Sequence, residues 1–164
     1  MLKNAFAKVP SKPALFIAPL LVIVVLSLYY RDQYRQCVEI RDTRAAFTRY
    51  LQALGAPAEF RLSEFTDFDW TRVRVVARVN PDTISDACPL DWNWQRGERD
   101  TLIASGGLAA MVFGNQGRVV RYVELRADEV EFRAAEGNIA PAEAVFSVTR
   151  KAGNPDTFVL TQKK

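Results

Sequence analysis

The chain has 164 residues, of which 49% are hydrophobic and 25% are charged, a composition typical of a globular protein. Its formal net charge of +3 is too small to indicate a nucleic-acid-binding protein, so we expect no nucleic-acid partner. The chain contains no histidine, which removes the commonest general base and the usual nitrogen ligand of zinc.

The first predicted element is an apolar segment, residues 13–30, that carries no charged side chain. Its length is at the lower end of what a helix needs to span a bilayer. Tyr29 and Tyr30 stand at its end, where interfacial aromatic residues of membrane helices are found. We therefore expect a transmembrane anchor at residues 13–30, preceded by a cytoplasmic tail of residues 1–12.

A cleaved signal peptide is the alternative, because Lys3, Lys8 and Lys12 form a basic region before the apolar segment. The only cleavage-like site, residues 25–27, is a poor one, which favours an uncleaved anchor. Arginines between residues 31 and 49 make the count of positive charges ambiguous for orientation. A short basic tail before a first apolar segment nevertheless favours export of the C-terminal part.

Residues 31–55 are predicted to form an amphipathic helix or stalk that continues from the anchor. Apolar residues repeat with helical spacing at Phe47, Tyr50, Leu51 and Leu54, and Gly55 is a plausible stop. This apolar stripe needs a cover. It either docks on the C-terminal domain or forms a homodimer through residues 31–54.

The remainder, residues 56–164, is predicted to be a β-rich domain. A connector with one helical turn leads to a half-buried strand at residues 72–79, whose valines face the core while Phe68 and Trp70 plug its entry. Two hairpins follow, and the intervening loops contain a short strand at residues 102–105 and a loop at 127–143. The hairpin strands are expected at residues 108–113 with 118–126, and at 144–149 with 157–161.

These elements together predict an α+β fold: a transmembrane helix, an amphipathic helix, and an antiparallel sheet of about five strands packed on that helix.

Two segments carry a resemblance to a known group of proteins. "FTDFDWTRVRVV" and "LAAMVFGNQGRVVRYVEL" are similar to small exported proteins of Gram-negative bacteria with an F-x-x-W-D-x-V-x-V-like segment. Those proteins are membrane- or lipid-anchored with compact α+β domains, and most have no assigned function. This chain departs from their pattern at Thr71 and at Asn80-Pro81. The resemblance implies an anchored envelope domain, in some cases an immunity protein or inhibitor.

Cys37 and Cys88 are far apart in the chain and form no C-x-x-C pair, so they predict neither a zinc site nor a thioredoxin-like centre. They can pair as a disulfide, which is consistent with an oxidising compartment. We therefore expect a single-pass protein of the bacterial inner membrane whose C-terminal domain lies in the periplasm.

Candidate catalytic groups are few. Asp67 and Asp69 share a face if extended, yet turn capping or pairing with arginines explains them better than acid–base chemistry. The acids between residues 82 and 91 match no calcium-loop spacing. Glycine-rich phosphate loops and nucleophile–base motifs are also missing. We therefore expect no enzymatic activity, no cofactor and no metal.

Two surface segments are the candidate contacts for an unidentified protein partner. The first, "DWNWQRGERD", contributes Trp92, Trp94, Arg96 and Arg99, residue types that dominate interface hot spots. The second is an acidic loop with Asp128, Glu129 and Glu131. The sequence thus favours a membrane-anchored protein-interaction domain, an immunity protein or a subunit of an envelope assembly. A domain that binds cell-wall glycans or lipids and a purely structural anchor subunit are the alternatives.

Overall fold

The computed structural model describes residues 14–80, 97–135 and 137–163. In these ranges a long helix is followed by two short helices and eight strands. The elements are α1 (Ala14–Leu54), β1 (Ala58–Arg61), α2 (Leu62–Phe65), β2 (Arg72–Val76), α3 (Glu98–Ser105), β3 (Leu108–Asn115), β4 (Arg118–Arg126), β5 (Val130–Arg133), β6 (Asn138–Ile139), β7 (Val145–Lys151) and β8 (Asn154–Gln162).

Helix α1 is continuous over 41 residues, so no break separates the predicted anchor from the predicted stalk. It ends where the sequence predicts, because Gly55 adopts a left-handed conformation with φ of 77° that side chains other than glycine rarely tolerate. Among the described residues, no helix combines the length and the apolar character that crossing a membrane requires, and the transmembrane helix predicted for residues 13–30 is not found there.

The α+β class is confirmed, but the prediction of one antiparallel sheet with about five strands is wrong. The strands form two sheets of four, in the orders β1-β7-β8-β5 and β4-β3-β2-β6. We call these sheet A and sheet B. All pairs are antiparallel except β5 with β8, which run parallel. Both predicted hairpins are present, as β3–β4 and β7–β8.

Residues 127–143, predicted to be a loop, contain β5 and β6. These strands pair with chain segments that are distant in sequence: β5 with β8, and β6 with β2. The local sequence pattern therefore does not predict β5 and β6. The strand predicted at residues 102–105 is instead the end of helix α3, which left-handed glycines flank on both sides, Gly97 and Gly106.

The main core lies between the two sheets and under the C-terminal part of α1. Phe47 and Leu51 of α1 are fully buried in it, so the apolar stripe packs on the domain of its own chain. A homodimer through residues 31–54 stays a prediction. A smaller apolar cluster lies on the opposite, outer face of sheet B, where Ile40 of α1 and Tyr122 of β4 meet.

The stretch that begins at Asp67 enters the core as predicted. Phe68 and Trp70 both pack edge-on against Phe113, with ring centroids 5.1 Å and 5.4 Å away. Val73 and Val75 are buried in the main core. The regular alternation stops at Val76, the last residue of β2. Val79 is buried as predicted, although in the outer cluster and not in the main core. Ala77, which the same alternation places toward the core, is exposed, and the prediction is wrong there.

Candidate functional site

The predicted contact residue Arg99 lies in a cluster of charges. It lies in the first turn of α3. Trp92, Trp94 and Arg96 lie outside the described residues. Helix α3 is the element that directly succeeds this tryptophan segment in the chain.

Arg99 forms an ion pair with Glu124, a carboxylate of β4 that is only 2% exposed. Nε of Arg99 donates a hydrogen bond to Oε1 of Glu124 at 2.8 Å, and Nη2 lies 2.8 Å from the same oxygen. The hydroxyl of Tyr122 donates to that oxygen as well, at 3.1 Å. A buried carboxylate is costly unless donors surround it, and these two side chains supply such donors.

The electrostatics of this cluster follow from burial and from the charge of Glu124. Burial alone would lower the pKa of Arg99, but the hydrogen bond and the charge of Glu124 outweigh it and raise that pKa. Burial raises the pKa of Tyr122 above its ordinary value of 10.0, and the charge of Glu124 raises it further. Both groups therefore keep their protons throughout the neutral range.

A second set of ion pairs lies beside the first. Arg126, at the end of β4, donates from Nη1 to Glu98 of α3 at 2.6 Å and from Nη2 to Asp128 at 2.9 Å. Its hydrogen bond lowers the pKa of Asp128 and raises that of Arg126. Arg44 of α1 lies within the electrostatic reach of these acids: burial lowers its pKa, while the charges of Glu129 and then Glu124 oppose that effect.

We call these charged residues and Tyr122 the outer-face network. Its members are Arg44, Glu98, Arg99, Tyr122, Glu124, Arg126, Asp128 and Glu129.

Strand β4 positions this network through simple alternation. Tyr122, Glu124 and Arg126 point to one face of sheet B, while Val123 and Leu125 point into the main core. Helix α3 lies across the outer face, with Leu102 and Ile103 packed on the outer cluster. The sequence signal that could have found Glu124 is its place between Val123 and Leu125, since a charge within an apolar strand needs a partner.

The three predicted acids divide between two sets of interactions. Asp128 and Glu129 belong to the outer-face network, whereas Glu131 lies on β5 of sheet A. Glu131 accepts from Arg133 at 2.7 Å and is 2.9 Å from Nζ of Lys151. Lys151 and then Arg133 lower its pKa. Glu131 thus pairs with cations of sheet A. Its role in a partner contact stays a prediction.

Cys37 of α1 is buried and disulfide-bonded. The prediction of a Cys37–Cys88 disulfide requires this state for Cys37, and Cys88 itself lies outside the described residues. The disulfide attaches another part of the molecule to α1 at a point one turn before Ile40.

The Glu124 carboxylate faces a guanidinium and a hydroxyl, so it is not poised as a general base. In the parts of the chain that the structure describes, no three acidic or thiol side chains lie close enough to share a metal ion. A cleft of about 540 Å³ near β1 is lined by residues such as Glu59 and Glu143, and Lys163 pairs with Glu59 there.

Comparison of the chain with models of protein families, with curated proteins and with solved structures gives no match. The resemblance to small anchored envelope proteins therefore stays a prediction.

Proposed function

We propose that this chain is a single-pass inner-membrane protein whose α+β domain binds another protein in the periplasm. The observation that carries the proposal is the apolar surface of α1 before Arg31. Large side chains from Leu20 to Tyr30 are exposed at nearly every position, Ile23 for example at 62%.

Successive residues of a helix point about 100° apart, so consecutive exposed positions cover every side of α1. A domain packed against one face of the helix would leave the other faces in water. A helix that is apolar on all sides is stable when lipid or a large core surrounds it. The sequence continues this apolar run back to residue 13 without a charge, which supports an anchor in the bilayer.

The bonded state of Cys37 supports the periplasm as the compartment of the domain, since disulfides persist in oxidising compartments and are rare in the cytosol. A C-terminal alkaline phosphatase fusion tests the orientation, because that enzyme is active only after export. We expect an active fusion. An inactive fusion at normal expression would contradict the proposed orientation.

The proposed contact surface is the segment that precedes α3. The outer-face network holds the first turn of α3 to β4 through Glu98 and Arg99, directly after Trp92, Trp94 and Arg96 in the chain. Fixing one end of a binding segment reduces the entropy that is lost when a partner binds. Tryptophan and arginine are also the residues that contribute most to binding energy in interfaces.

Crosslinking in intact cells, followed by purification of the tagged full-length chain, tests this surface. We expect the wild-type chain to recover a specific protein, and Trp92→Ala and Trp94→Ala to lose it. Arg133→Ala, which removes an exposed cation of β5, is the control and should recover the same protein. If the wild-type chain recovers no protein and cell-wall glycan fragments quench its tryptophan fluorescence, the glycan-binding alternative replaces the proposal.

A further inference from the structure

In the described part of the chain, large exposed apolar side chains are confined to two places. They lie on α1 between Leu20 and Tyr34, and at Val119 and Val120 of β4. The two valines belong to the end of the β3–β4 hairpin. Val119 is 65% exposed and Val120 is 41% exposed, although both lie in a strand whose later residues are buried.

The hairpin end and the apolar part of α1 lie on the same side of the domain. Arg121 of β4 donates from Nη1 to Glu39 of α1 at 2.9 Å. Further along both elements, Tyr122 packs in the same cluster as Ile40. Beyond that, the charge of Glu124 acts on Arg44. Strand β4 therefore runs in the same direction as α1, and residues before Arg121 extend back toward the N-terminal part of the helix.

The rise per residue gives the height of the hairpin end along α1. From Arg121 back to Arg118 the strand covers about 10 Å, as does the helix from Glu39 back to Asp32. Arg118 therefore lies level with Asp32, just beyond the tyrosines that end the apolar segment. The turn at Gln116 and Gly117, both with positive φ, reaches further in the same direction.

Arginines surround the exposed valines. Val119 pairs with Gly114 on β3, and Arg72 crosses over that glycine: a Cβ placed there would lie 3.0 Å from Nε of Arg72 and 3.5 Å from the carbonyl oxygen of Arg118. A side chain at position 114 would require Arg72 to shift by a few tenths of an ångström. Arg72 therefore lies beside Val119 on one face of the hairpin. The side chain of Arg118, the preceding residue of the strand, points to the other face.

The balance of charge at this end of the domain is positive. On α1 the exposed cations at the same height are Arg31 and Arg35, with Asp32 between them. Asp67 and Asp69 precede β2, and the carbonyl oxygen of Asp69 accepts a hydrogen bond from the side chain of Asn115. Together with Arg72 and Arg118, the arginines outnumber these acids.

We infer that Arg118, Val119 and Val120, the hairpin tip, contact the headgroup region of an anionic bilayer beside the point where α1 leaves it. The inference rests on the proposed anchor. Exposed valines flanked by arginines suit the boundary between acyl chains and anionic headgroups, where apolar groups are buried and cations are attracted. A second contact beside α1 holds the domain in one orientation on the membrane and directs its opposite end toward partners.

Fluorescence quenching by brominated lipids tests the inference in the full-length chain. The chain is reconstituted in nanodiscs of phosphatidylcholine and phosphatidylglycerol, with bromine either close to the headgroups or deep in the acyl region. Three variants each add one tryptophan, and the emission of the wild-type chain is subtracted. Val119→Trp reports on the hairpin tip, and Leu21→Trp reports on the anchor.

Ala152→Trp is the matched control, because Ala152 is exposed in the two-residue turn between β7 and β8. That turn lies at the other end of the domain. Strand β1 starts just after the C-terminal end of α1 and runs back past Tyr50, since Phe60 packs on its ring at 5.5 Å. Because β7 is antiparallel to β1, it continues beyond Ala58 and away from the apolar part of α1.

We expect shallow bromines to quench the emission added by Val119→Trp, deep bromines to quench that of Leu21→Trp, and neither to quench that of Ala152→Trp. Adding Arg118→Glu to Val119→Trp should reduce the quenching in anionic nanodiscs. If Leu21→Trp is quenched while Val119→Trp stays as bright as the control, the inference fails and a protein becomes the occupant of the hairpin tip. If Leu21→Trp is not quenched, the anchor itself fails.

Discussion

The guanidinium of Arg99 on α3 lies 2.8 Å from the buried carboxylate of Glu124 on β4. This ion pair attaches α3 to sheet B, and α3 directly follows the segment that contains Trp92 and Trp94. We predict that Arg99→Met destabilises the domain by about 3–5 kcal/mol, because it leaves a buried carboxylate without its cation. Urea unfolding of the full-length chain in mild detergent, followed by the fluorescence of buried Trp70, measures the change.

Two comparisons make this prediction specific. Arg133→Met breaks a more exposed ion pair with Glu131 and should change stability by no more than about 1 kcal/mol. The double variant Arg99→Met/Glu124→Leu removes both charges and should recover most of the lost stability. If Arg99→Met lowers the free energy of unfolding as little as Arg133→Met does, the ion pair does not hold α3.

Tyr122 predicts a loss of stability at alkaline pH. Burial, and then the charge of Glu124, raises its pKa above 10.0, so the folded chain keeps the phenol neutral where the unfolded chain ionises it. The stabilisation is complete below pH 10 and is lost as pH rises through the folded pKa. Tyr122→Phe should make the free energy of unfolding depend less on alkaline pH. Because it also removes a hydrogen-bond donor to the Glu124 carboxylate, it should lower that free energy by about 1.5–3 kcal/mol at neutral pH.

The control for Tyr122 is Tyr50→Phe. Burial and then Glu64 raise the pKa of Tyr50 too, but its side chain lies at the C-terminal end of α1, away from Glu124. Tyr50→Phe should therefore remove a smaller part of the decrease in unfolding free energy that accompanies rising alkaline pH. The free energy of unfolding is measured with urea between neutral pH and pH 11. If it falls equally steeply with pH in the wild-type chain and in Tyr122→Phe, the prediction is contradicted.

Asp128 predicts the opposite dependence, at acid pH. The hydrogen bond from Arg126 lowers its pKa below 3.8, so its contribution is present above that pH and is lost as pH falls through the lower, folded value. Because the side chain is largely exposed, Asp128→Asn should cost at most about 1 kcal/mol at neutral pH. In acid titrations of urea unfolding, the difference from wild type should shrink as pH falls below 3.8, and a constant difference at all pH values would refute the assignment.

The two parts of α1 should respond differently to the same substitution. Leu51→Ala removes a fully buried side chain from the main core and should cost about 2–5 kcal/mol in domain unfolding. Leu26→Ala changes an exposed position of the apolar part and should leave domain unfolding unchanged. Urea unfolding in detergent measures both variants. If Leu26→Ala lowers the free energy of domain unfolding about as much as Leu51→Ala does, the apolar part of α1 packs on the domain.

The disulfide of Cys37 predicts that the oxidised protein has no reactive thiol. Alkylation of the denatured, unreduced chain followed by mass spectrometry should add no label, and reduction should add label at both Cys37 and Cys88. Label at both residues before reduction would exclude the predicted pairing and weaken the case for the periplasm.

The candidate site was only partly predictable from sequence. The sequence predicts Arg99 and Asp128 as partner contacts, and the structure adds that both form ion pairs within the domain. Glu124 was missed, since its partner Arg99 lies 25 residues earlier, on an element whose helical structure the local pattern did not predict. The charge in the apolar strand signalled that a partner is needed, but not which cation supplies it.

Features that depend on neighbouring residues were determined by the sequence itself. The stop of α1 at Gly55, the β3–β4 and β7–β8 hairpins and the aromatic entry to β2 all follow from turn chemistry and short-range periodicity. The tertiary structure decided the parallel pairing of β5 with β8, the division into two sheets and the joining of Arg99 to Glu124. These features depend on contacts between distant segments. Such contacts stabilise the fold only after the chain has closed the loops between the segments, which costs entropy.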